Sequence, residues 1–174
     1  GLVTDRALGL FEVFRVGPIG AGPVLLGKYV AYLVVGGVVG TALILAVTYG
    51  LGVPMHGDVR WLATGLAGLV LASIGVGMVL SMLARSEVQA VQYAMLALLA
   101  GLFLGGFFLD LDALRYPVKA LSWLLPVTYG VRLMRDVMLR GIPPADVDLI
   151  GLAVTTVGYA LLAWWLLARR LRVR

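Results

Sequence analysis

Four long uncharged runs, each closed by charge at both ends, set the pattern of this chain. They cover residues 29–57, 61–84, 88–109 and 149–168, which is 29, 24, 22 and 20 residues. The bounding pairs are Lys28 and Asp58, Arg60 and Arg85, Glu87 and Asp110, and Asp148 and Arg169. A helix rises about 1.5 Å per residue, so roughly 20 apolar residues cross a hydrocarbon core about 30 Å thick. A soluble core helix rarely runs that far without a polar face. The pattern predicts four membrane spans, at about residues 24–52, 61–83, 89–109 and 149–168.

Between the spans the pattern changes period. Residues 5–16 are amphipathic: Ala7, Leu10, Phe11 and Phe14 share one helical face, and Asp5, Gly9, Glu12 and Arg15 share the other. Gly17-Pro18 and Gly20 to Pro23 break that helix, so residues 1–22 read as an interfacial element before the first span. Its bland reading is a surface anchor. VPMHGD (53–58) is a Pro/Gly turn between spans one and two, and ARSE (84–87) closes spans two and three into an antiparallel hairpin. Residues 110–148 are too polar to span. Their uncharged run, 120–131, is only 12 residues long and fits a re-entrant or interfacial segment. Residues 129–140 read as an amphipathic helix with Arg132, Asp136 and Arg140 spaced to pair along one face. Gly141 is the expected C-cap, and Pro143-Pro144 forbid continuation. Trp164 and Trp165 suit an interfacial aromatic belt. Gly36 with Gly40, and Gly101 with Gly105, allow close helix approach, read first as packing within the chain. The fold expected is all-α: one polytopic transmembrane helix bundle over residues 1–174, with an N-terminal interfacial helix and an outer re-entrant helical hairpin.

Composition sharpens this picture. The chain is 61% hydrophobic and 13% charged, with a mean hydropathy of +1.02, where soluble proteins carry about 25% charge. Its net charge of +5 could suggest nucleic acid. Four spans, however, put both termini on one side, with eight basic residues there against Asp5, Glu12 and Glu87; the other side carries six basic and six acidic residues. The densest basic cluster is ARRLRVR at the C-terminus, so the termini are expected in the cytoplasm. The basic excess is a topology signal and no nucleic-acid partner is expected. No cleavable signal peptide is evident. The chain begins at Gly1 without Met, which reads as the loss of a natural start.

Chemistry is sparse. Apart from Lys28 near the start of the first, no predicted span holds a carboxylate, histidine, lysine or arginine, the groups that mark proton relays, ion paths and intramembrane active sites. Zero cysteines exclude disulfides and thiolate sites. His56 is the only histidine and reads as a solvated loop residue. No HExxH motif and no phosphate loop ending in Gly-Lys-Ser/Thr is present, so the chain is not expected to be an enzyme or to bind ATP itself. Any energy source would lie in another polypeptide.

Four segments then carry a resemblance. Asp5-Arg6, Gly9, Glu12, Arg15 and Pro18, followed by Leu26-Gly27-Lys28, resemble the cytoplasmic helix and following span of the type-2 ABC transporter permeases. LARSEVQAVQ (83–92) resembles their inner turn, and FLGGFFLDLDAL (103–114) the end of the next span. LLPVTYGVRLMRDVMLRG (124–141) resembles the Pro-Thr-Tyr and Arg-x-x-x-Leu-x-Gly outer segment, and it is the most specific match. The segments occur in family order along nearly the whole chain. Where the family often carries Ser-Gly and Phe-Pro, this chain has Gly105-Gly106 and Leu109-Asp110.

The resemblance implies the membrane subunit of an ATP-driven drug, lipid or polysaccharide exporter in the cell membrane, of bacterial type. This chain would match the last four of six spans, with two earlier spans missing. It also implies a partner ATPase subunit that holds ATP and magnesium, a second permease subunit and a lipid environment. Asp5, Arg6, Glu12 and Arg15 would couple to the ATPase, and Pro126, Thr128, Tyr129, Arg132, Arg135 and Asp136 would build the outer hairpin. The alternative is a non-transporting membrane anchor or assembly protein with the same topology.

Overall fold

A computed structural model describes residues 21–107 and 115–172. The expected interfacial helix with Asp5, Arg6, Glu12 and Arg15 lies outside the described residues, as do residues 108–114. Among the described residues six α-helices follow one another. Helix α1 (Ala21–Leu45) runs on through a π-helical turn, Ala46–Gly50, and α2 covers Val59–Leu83. Helix α3 covers Glu87–Leu104, α4 Val118–Leu124 and α5 Pro126–Arg135, which continues as a π-turn, Asp136–Arg140. Helix α6 covers Asp146–Arg172. No strand occurs among the described residues. Helices α1 with its π-turn, α2, α3 and α6 are long and apolar enough to cross a membrane.

The polar residues between spans act as helix caps. Asp58 accepts from the Arg60 amide at 2.9 Å and opens α2. Ser86 accepts from the Gln89 amide at 3.2 Å, while Gln89 Oε1 accepts from the Arg85 amide at 2.7 Å. This is a capping box reaching one residue further back than usual, and it explains the Ser-x-x-Gln spacing of that turn. At the far end, Gly105-Gly106 turns the chain, and α3 stops at Leu104 instead of running to 109. Gly141 ends the π-turn at φ 65°, a left-handed conformation that a side chain would strain, and the Gly141 amide donates back to Asp136 O.

The core runs along α2, which packs against α6 and α5. Near the C-terminal end of α2, Met78, Val79 and Met82 meet Ala163 and Leu167. Midway, Ala72 meets Tyr129 and Leu152. Near its N-terminal end, Leu62 meets Leu133, Val137 and Met138. Helix α1 lies against α2 through Gly36 and Gly40: a Cβ at either position would come within 2.7 and 2.6 Å of Val70 and Leu66, so this glycine pair serves packing within the chain. Helices α1 and α3 otherwise present apolar side chains outward, among them Val34, Val38, Leu43, Met95, Leu98 and Phe103. Outward apolar faces are the expected surface of a protein solvated by lipid.

Candidate functional site

The segment between α3 and α6 holds the densest polar chemistry in the described chain, and it begins with a break. Pro126 starts α5 and has no amide hydrogen, so the last carbonyls of α4 lose the partners a continuous helix would supply. In an apolar setting each unmet carbonyl is costly. Three hydroxyls meet them. Thr128 Oγ1 donates to Ser122 O, which also accepts from the Leu125 amide at 3.1 Å. Tyr129 Oη donates to Trp123 O at 2.7 Å, and Tyr159 Oη, from α6, donates to Leu124 O at 3.0 Å. The Pro-x-Thr-Tyr run therefore breaks the helix at the proline and re-satisfies two of the three exposed carbonyls through Thr128 and Tyr129, the third being met by Tyr159 from α6. Thr128 and Ser122 are fully buried and Tyr129 nearly so. Burial pushes the Tyr129 phenol above its ordinary pKa, the Asp148 carboxylate pushes it the same way, and the Arg132 guanidinium opposes. Tyr129 thus stays protonated and remains a donor.

One turn further along α5, Arg132 stacks its guanidinium over the Trp123 ring at 5.1 Å, and Trp123 in turn packs tilted on Tyr129 at 5.6 Å. The Arg132 Nε lies 3.7 Å from Asp148 Oδ1 in the first turn of α6. Asp148 is 2% exposed, and its Oδ1 has no hydrogen-bond partner. The carboxylate therefore relies on the Arg132 charge and on the positive N-terminal end of α6. Arg135 reaches the other way, its Nη2 donating to Gly106 O at 3.2 Å and tying α5 to the turn after α3. Gly151 of α6 lies flush against the Tyr129 ring, where a Cβ would collide.

Five of the six residues expected in the hairpin (Pro126, Thr128, Tyr129, Arg132 and Arg135) hold α5 to its neighbours. Asp136 instead pairs with Arg140 at 2.9 Å. The expected ladder of Arg132, Asp136 and Arg140 is half right. Arg132 goes to Asp148, because a buried carboxylate needs a compensating charge far more than the partly exposed Asp136 does. Asp148 was legible in the sequence only as the charge bounding the last span. Ser122, Trp123 and Tyr159 gave no signal, since they act through backbone carbonyls and packing. His56 is exposed as expected, and its amide donates to Met138 O at 3.2 Å. Among the described residues no group of acids or histidine could hold a metal ion. The arrangement can position and clamp helices; it has no nucleophile paired with a base.

These features define a polytopic α-helical membrane protein whose final span is clamped by a broken helical linker. The family is narrower: the chain belongs to the ABC-2 type transporter family, whose model matches residues 1–139. It is similar to YbhS of Escherichia coli strain K12, described as a probable multidrug ABC transporter permease, at 27% identity over 150 residues. That match covers 84% of this chain and 40% of YbhS. YhhJ of the same strain, described as an inner membrane transport permease, is 29% identical over 141 residues, covering 80% of this chain and 38% of YhhJ. ABC transporter G family member 20 of Dictyostelium discoideum is 28% identical over 102 residues, covering 59% of this chain and 14% of that protein. This chain thus spans about 40% of the length of the bacterial relatives it matches. No solved structure matches it.

Proposed function

We propose that this chain is membrane-spanning permease sequence of an ATP-driven exporter, working in the cell membrane of a bacterium as a pair of permease subunits with a separate ATPase. The observation that carries the reading is the family match over residues 1–139, joined to four helices long and apolar enough to cross a membrane. ATP and magnesium then belong to the ATPase subunit. Both ends of the chain face the cytoplasm, and residues 110–148 form an outer hairpin. The polar face of Asp5, Arg6, Glu12 and Arg15 meets the ATPase and transmits its closure by rigid contact. The description of YbhS as a probable multidrug permease makes drugs the first substrates to test.

The test is ATPase activity of the reconstituted full-length complex with and without a transported drug. Glu12→Lys and Arg15→Glu should each weaken coupling by about 1–3 kcal/mol, the usual range for linked sites. Expression and membrane insertion should change little. Arg60→Glu, on the opposite side of the membrane in this topology, should leave stimulation intact. Unchanged stimulation in both charge-reversed variants, with loss on truncating Phe11 or Phe14, would favour a surface anchor instead.

A further inference from the structure

A groove of about 620 Å³ runs between α1 and α2, and only Leu69, at its inner end, also packs against the Tyr129 cluster. It extends from Lys28 to Gly36 on α1 and from Leu69 to Ser81 on α2, so at about 1.5 Å per residue it is about 12 Å long on one wall and about 18 Å on the other. Half of a hydrocarbon core about 30 Å thick is about 15 Å. The groove therefore has the depth of one leaflet. Its walls are mostly apolar; Ser73 lies toward the Leu69 end, while Lys28, its one charged residue, lies at the other end with Tyr32 and Ser81. The antiparallel packing of α1 on α2 and α6 brings that end of the groove to the end of the bundle where Arg85 and Arg169 also lie. Midway along the α2 wall, Gly77 leaves the space open, since a Cβ there would meet nothing within 4 Å.

We propose that this groove is a binding site for a phospholipid with an anionic headgroup. One acyl chain lies along the Gly77 wall, and the headgroup phosphate meets the Lys28 ammonium. An apolar slot one leaflet deep with Lys28 at its mouth is complementary to that amphiphile and to no freely soluble anion, because the walls would offer a bare phosphate little to contact. Basic pockets between spanning helices hold anionic headgroups by the same attraction. The site is separate from the proposed transport role and stands whether or not the complex exports.

The experiment is native mass spectrometry of the full-length protein, delipidated in detergent and titrated with phosphatidylglycerol or phosphatidylcholine of identical acyl chains. Wild type should retain phosphatidylglycerol in preference. Lys28→Gln should lower phosphatidylglycerol affinity about fivefold, bringing it level with phosphatidylcholine, as expected for loss of one basic contact. Gly77→Phe should fill the slot and abolish retention of both lipids, whereas Gly158→Phe, at another open position on α6, should abolish neither. If Gly77→Phe does not fold, an acyl-diazirine phosphatidylglycerol added to wild type should crosslink within residues 73–81. Equal retention of the two lipids by wild type, identical behaviour of the two phenylalanine variants, or crosslinks spread evenly over the helices would each overturn the proposal. The same holds if the groove is filled by another part of the full-length protein, which would give no crosslink at 73–81.

Discussion

At the scale of single residues, the decisive contact is the one between Arg132 and Asp148. A carboxylate that is 2% exposed depends on a guanidinium that still reaches solvent along one edge. Removing the cation leaves an uncompensated buried charge, whereas removing the anion leaves an arginine that can hydrate. The two single substitutions should therefore be unequal. Arg132→Met is expected to destabilise by about 3 kcal/mol, near the lower bound for breaking a buried pair. Asp148→Asn should cost less, and the double variant should be no worse than Arg132→Met alone. The measurement is a double-mutant cycle by denaturant unfolding of the full-length protein in detergent, and additive losses would mean the pair is not coupled.

At the scale of the element, α4 and α5 are two short helices rather than one because Pro126 sits where the second begins, and hydroxyls take over the carbonyls it strands. Thr128→Val keeps the shape and removes the donor, leaving Ser122 O with only the Leu125 amide. The expected loss is about 0.5–1.5 kcal/mol, the net worth of one hydrogen bond, because Ser122 O keeps the Leu125 amide. Tyr129→Phe should behave alike through Trp123 O, while Thr128→Ser keeps the donor and should stay closer to wild type. Hydrogen exchange over residues 118–135 reads this directly: faster exchange confined to that corner is expected for valine and phenylalanine. A global change without local opening would show that the hydroxyls do not hold the break together.

At the scale of the whole molecule, three packed helices, α2, α5 and α6, carry the buried core, with α1 and α3 laid on their flanks. The clamp joins the linker to the start of the last span, so motion of that linker and of α6 should be coupled. The basic excess at one end of the bundle argues for its orientation. Asp58→Cys and Asp146→Cys should label from outside intact cells with an impermeant maleimide, and Arg174→Cys should be protected until the membrane is opened. Labelling at position 174 in intact cells would reverse the proposed topology.

Runs of 20 or more uncharged residues can be satisfied in hydrocarbon only as helices, so the all-α polytopic architecture was determined by the sequence alone. Some local chemistry was legible too: Gly141 and Pro126 act on backbone within a few residues, where the spacing already contains the geometry, whereas the Ser86 and Gln89 caps were read only as a tight turn. Partner choice was not. Leu62 of α2 is buried and Leu98 of α3 is exposed, yet both sit in runs equally rich in leucine. Lipid tails are as apolar as leucine, so no polar stripe distinguishes a face that meets protein from one that meets lipid. Only the tertiary structure decided that α2 is central and α3 peripheral. It also decided that Tyr159 serves a carbonyl 35 residues away and that Arg132 serves Asp148, since these contacts exist only once separate helices are brought side by side.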